Sequence, residues 1–109
     1  MLARNFLTLK RKNTCSYNEY ENHLIHLNDY KISIQCNERV NCTPKINIKN
    51  PFTYSSYEVF IFHKTEIVIP MFYKELFDKQ GKGSFINKKQ LNKLFKYIQS
   101  PFCIMMEVK

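Results

Sequence analysis

A chain of 109 residues has material for one small domain with a modest core, which excludes two independently buried cores. With 44% hydrophobic and 15% aromatic residues it is too apolar for wholesale disorder. No stretch approaches the ~20 apolar residues that cross a bilayer, so a soluble chain is expected. A formal net charge of +8 points to an acidic partner, whether nucleic acid, an anionic membrane surface or an acidic protein.

Met1 to Asn13, MLARNFLTLKRKN, sets Leu2, Phe6, Leu7 and Leu9 among Arg4, Lys10, Arg11 and Lys12 without an acid. Such a start fits a disordered basic tail (residues 1–18) or a mitochondrial presequence. In ENHLIHLNDYKI, Asn28 is expected to cap a short helix through Tyr30 and Ile32. His23 and His26, three apart, could share a helical face and read as surface histidines. Glu38 to Ile48 reads as an extended arm with Val40, Ile46 and Ile48 on its apolar side, and Asn50 to Ser56 as a turn region.

Tyr57 to Phe62, YEVFIF, is the strongest strand by β-branched and aromatic content. With the arm before it and Glu66 to Ile69 after it, it predicts a small antiparallel sheet that needs a helix over its apolar face. The hydrophobic period changes at Pro70. Proline gives no N–H to a ladder but suits the first turn of a helix, so a helix with Phe72, Tyr73, Leu76 and Phe77 on one face is expected to start there.

Asp78 to Gly83 has the outline of a calcium loop, but Lys82 and Lys89 fall where oxygen ligands are required, so a glycine turn is the expectation. Ser84 to Ile86 returns briefly to extended character. Asn87 to Ser100 is the clearest helix: Asn87 and Gln90 have capping-box spacing, and Leu91, Leu94, Phe95 and Ile98 form one stripe. Lys88, Lys89, Asn92, Lys93 and Lys96 take the other side, a solvated face with any DNA contact indirect. Pro101 stops the helix, and the apolar tail from Phe102 must pack somewhere or bind something.

Chemistry-bearing patterns are sparse. Cys15, Cys36, Cys42 and Cys103 contain no Cys-x-x-Cys pair, so free thiols are expected and no zinc or other cofactor. The Asn41-Cys42-Thr43 sequon has no meaning in a chain that is not secreted. No nucleophile stands with a histidine and an acid, no glycine loop cradles phosphate, and no carboxylates pair at an interpretable spacing. A protein without catalysis is expected.

Two patches, in order, resemble a known family. Glu66-Ile-Val-Ile-Pro70-Met-Phe72-Tyr-Lys74-Glu-Leu-Phe-Asp78 is similar to the strand, proline, aromatic and Leu-Phe-Asp hinge of the GINS replication-complex subunits, with Phe72 at the family's tryptophan position and Lys74 at its alanine. Glu21, Asn22, Leu24, Leu27, Asn28 and Asp29, then Glu38, Arg39, Val40 and Cys42, resemble the opening of the Psf-three subunit, with Asn41 where that family has proline. The resemblance spans Glu21 to Pro101 in scattered patches. It implies an α+β fold: a small antiparallel β-rich domain like the GINS B domain over residues 19–86, then residues 87–109 as the first helix and tail of a helical A domain cut short. It also implies a non-catalytic scaffold in a nuclear heterotetramer with the other GINS subunits, docked to the Mcm motor ring and the Cdc component of the replicative helicase, supporting initiation and elongation of DNA replication. In that setting Leu91, Leu94, Phe95 and Ile98 would face partner subunits or the missing helices, and Ile69, Pro70, Phe72, Tyr73 and Leu76 would join the β domain to the helix. The alternative from the basic start is a small imported mitochondrial protein of the ribosome or a respiratory complex.

Overall fold

The computed structural model describes residues 23–48 and 53–108. The basic opening segment, Glu21 and Asn22 lie outside the described residues. The described part is a single antiparallel sheet covered on one face by a helix.

β1 (His23–Leu27) and β2 (Tyr30–Gln35) form a hairpin in which Leu27 pairs with Tyr30. The helix expected after Asn28 is therefore corrected. The apolar residues here alternate with period two, and Ile25, Leu27, Ile32 and Ile34 all turn inward and are buried. Asn28 adopts a left-handed φ of 54°, a conformation asparagine tolerates and a two-residue hairpin turn requires. Its side-chain amide donates to the carbonyl of Ile98 at 3.1 Å and ties the turn to the end of the helix. His23 and His26 lie in β1, so the helical face on which they could have met does not form.

β3 (Ser56–His63) is the sheet's centre, with Tyr57, Val59 and Ile61 wholly buried. One edge pairs with β2 along Glu58 to His63. The other is shared: β4 (Glu66–Pro70) pairs with its second half and β5 (Gly83–Asn87) with its first. The register shifts between Tyr57 and Val59. At that irregularity the buried Glu58 carboxylate accepts from the backbone N–H of Asn41 at 2.9 Å.

The arm expected over Glu38 to Ile48 is largely irregular: it bridges the sheet from Thr43 to Ser56 and is tied to β5 at Asn41, whose carbonyl accepts from Phe85 N and whose side-chain amide donates to Ser84 Oγ, each at 3.0 Å. Local bonds replace the ladder. Asn37 Oδ1 accepts from Arg39 N at 2.7 Å, and the Tyr54 hydroxyl accepts from Ile48 N at 2.8 Å while donating to the Ile46 carbonyl. Cys36 and Cys42 are buried thiols and Cys103 a half-buried one, none of them in a disulfide, and Cys15 lies outside the described residues. Burial pushes the Cys42 thiol up from its ordinary value, and a contact to the Asn37 carbonyl pulls it partly back.

After β5 the single α-helix of the described residues, α1 (Lys88–Ile98), opens on the expected capping box. Gln90 N donates to Asn87 Oδ1 at 2.8 Å and Asn87 N to Gln90 Oε1 at 2.9 Å. Its stripe of Leu91, Leu94, Phe95 and Ile98 is buried against the sheet. That placement corrects the expectation of a partner-facing stripe. The sheet's own apolar face needs a cover, and burying each such side chain is worth about 1.5–3 kcal/mol. The tail then returns as β6 (Met105–Glu107), paired to β4, so that α1 and the tail both pack on the same sheet.

Candidate docking surface

Pro70 is buried as the last residue of β4, opposite Met105. The α-helix expected after it is a 3-10 turn, Met71–Leu76, kinked at Tyr73 (φ −130°, ψ 25°). Both ends are tethered, which leaves no room for a longer helix: Pro70 belongs to the sheet, and Phe77 bridges to Gly83. No residue of this turn is buried, and Phe72 is 63% exposed.

Three segments meet here. The Met71 N–H donates to the Ile104 carbonyl at 2.9 Å, and the Tyr97 hydroxyl donates to the same carbonyl and accepts from the Ile104 N–H, each at 2.9 Å. The rings of Phe72 and Tyr73 both meet Tyr97 edge-on, with centroids 5.8 and 5.4 Å away. Met71, Phe72 and Ile104 are exposed around this joint, and Phe102, two residues before Ile104 in the chain, is 79% exposed. Beside Tyr73 lies an open cleft of about 150 Å³, lined by Tyr73, Glu75, Leu76, Gln90 and Lys93.

Of the residues expected at an interface, Phe72, Tyr73 and Leu76 come together here against α1. Ile69 is half-buried in β4 opposite Met106, and the four helix residues lie in the core. Sequence reasoning missed Tyr97, Met71, Ile104 and Lys93. Tyr97 sits beside the stripe, at the boundary that periodicity assigns to neither face. The apolar tail was the one available signal for Phe102 and Ile104.

The loop with the calcium-like outline is self-contained. Asp78 Oδ1 accepts from the backbone N–H groups of Lys82 and Gln80 at 2.9 and 2.8 Å. These bonds, that from Lys82 foremost, hold its carboxyl below the usual range against a smaller opposing effect of desolvation. Gly81, at φ +85°, closes the turn, and a Cβ there would clash with Ile67 Cγ2. Among the described residues no group of three or more His, Cys, Asp or Glu side chains is placed to hold a metal ion, and no helix is long and apolar enough to cross a membrane.

Comparison with protein-family models, curated proteins and solved structures finds no match. The chemistry of the surface has to be read from its own residues.

Proposed function

We propose that the chain is a non-catalytic interaction module that docks through the Phe72 surface, and that its setting is the one the sequence resemblance implies, a scaffold subunit of a GINS-type assembly. The observation that carries the docking role is the exposure of Met71, Phe72 and Ile104 around the edge-to-face Tyr73–Tyr97 contact, with Phe102 exposed two residues before Ile104. Leaving large apolar side chains together in water costs free energy that a partner's surface recovers. The same segment, Pro70 to Phe77, carries the family resemblance. The docking role therefore passes from the helix stripe, spent in the core, to the 3-10 turn and the tail. Partners in this reading are the other GINS subunits, the Mcm ring and the Cdc component of the helicase, in the nucleus.

The test is affinity purification of the full tagged chain beside a Phe72→Ala variant. Three GINS-like subunits and the Mcm ring should accompany the wild type and be lost from the variant. Recovery of mitochondrial ribosomal or respiratory-complex proteins in their place would replace the replication reading with the mitochondrial one.

A further inference from the structure

We infer that the occupant of this surface is an acidic stretch of a partner protein carrying at least one bulky apolar anchor. This rests on the docking role proposed above and adds the chemistry of what docks. Tyr73 belongs both to the aromatic joint and to the cleft, so the exposed apolar ridge runs directly into a recess. The recess has an apolar side from Tyr73 and Leu76 and a cationic side from Lys93. Along α1, Lys89, Lys93 and Tyr97 follow one another at four-residue spacing and Lys96 lies three beyond Lys93. They form one row on the flank that borders the joint. Lys74, Lys89, Lys93 and Lys96 are all exposed, and Glu75 is the one acid in the cleft's lining. A segment seated here meets apolar contacts that supply affinity and a positive rim that selects the sign of its charge.

Two other occupants fit less well. Stacked nucleobases need flat aromatic platforms, whereas Phe72 and Tyr73 stand at 85° and 77° to Tyr97 and are flanked by the aliphatic Met71 and Ile104. A second copy would bring lysine rows together on chains that each carry a formal charge of +8.

The experiment is selection of binders from a random-peptide display library by the purified full chain, followed by anisotropy titration of the enriched peptides. Winning peptides should be net acidic with a Leu, Ile, Phe or Tyr anchor. Their affinity should fall about tenfold or more with Lys93→Glu and with added salt, because a rim charge and its screening are being removed. Lys31→Glu, on the sheet face away from α1, should leave it unchanged. Neutral or basic winners, or winners that lose affinity with Phe72→Ala and ignore Lys93→Glu, overturn the acidic occupant while leaving the docking surface in place. Winners indifferent to both variants overturn the surface itself, and a library that yields no ligand overturns the inference. Binding of a labelled oligothymidylate that is abolished by Phe72→Ala would replace the acidic peptide with single-stranded nucleic acid.

Discussion

Two aromatic groups in this molecule, one of two tyrosines and one of two tyrosines and a phenylalanine, behave oppositely. Tyr54 and Tyr57, ring centroids 6.3 Å apart, are wholly buried. Each hydroxyl is committed: Tyr54 holds the loop backbone at Ile46 and Ile48, and Tyr57 donates to the Tyr54 carbonyl at 3.3 Å. Burial pushes the Tyr57 phenol strongly up, with the nearby Cys36, Cys42 and Tyr54 adding to it. Phe72, Tyr73 and Tyr97 pack edge against face, and they stand at the surface. The difference lies in what surrounds the rings. The first pair sits between sheet, loop and helix, and the second group ends a layer that nothing else among the described residues covers.

That contrast can be broken from either side. The largest effect should come from Tyr57→Ala, which empties a fully buried site and strips a hydrogen bond from the Tyr54 carbonyl. A loss of about 3–5 kcal/mol is expected in urea unfolding, enough to remove most of the stability of a domain this size. Asn87→Ala should cost about 1 kcal/mol, because it breaks one half of a capping box at an exposed position without touching the core that the helix supplies. Circular dichroism through thermal unfolding reads that change.

A smaller and pH-dependent effect is expected at Asp78, whose carboxyl titrates lower folded than unfolded. Its stabilisation is present above the ordinary carboxylate pKa of about 4 and lost as pH falls through the lower folded value. Asp78→Asn should therefore separate from the wild type at neutral pH and converge with it in strong acid, and equal unfolding midpoints across that whole range would show that the turn does not depend on the charge. Phe72→Ala comes last. Its ring is mostly in water, so stability should change by no more than about 0.5 kcal/mol even though docking is lost. A large destabilisation there would make the ring structural and remove the contrast with Tyr57.

How far residues alone foretell this fold differs from element to element. The Tyr57 to Phe62 strand, the Glu66 to Ile69 strand and the capped helix were legible because each carries its own local signal, of β-branched density or of three-and-four spacing between a capping box and a proline. The hairpin at Asn28 was not, since asparagine serves both as a helix cap and as a left-handed turn residue, and the choice falls to the pairing of two strands. The 3-10 turn was missed for a related reason. Proline announces a helical start, but how many turns follow depends on where the chain must next rejoin the sheet.

Residue order alone settled the α+β class, the central strand and the extent of the helix, because those follow from period, propensity and capping over a few neighbouring positions. Packing in three dimensions decided which apolar residues are consumed and which are left over. Leu91, Leu94, Phe95 and Ile98 vanish into the core only because the sheet presents a matching face, and Met71, Phe72 and Ile104 share one surface only because β6 carries the tail back beside β4. A side chain's hydrophobicity is a local property, but whether it has a neighbour to satisfy it is not.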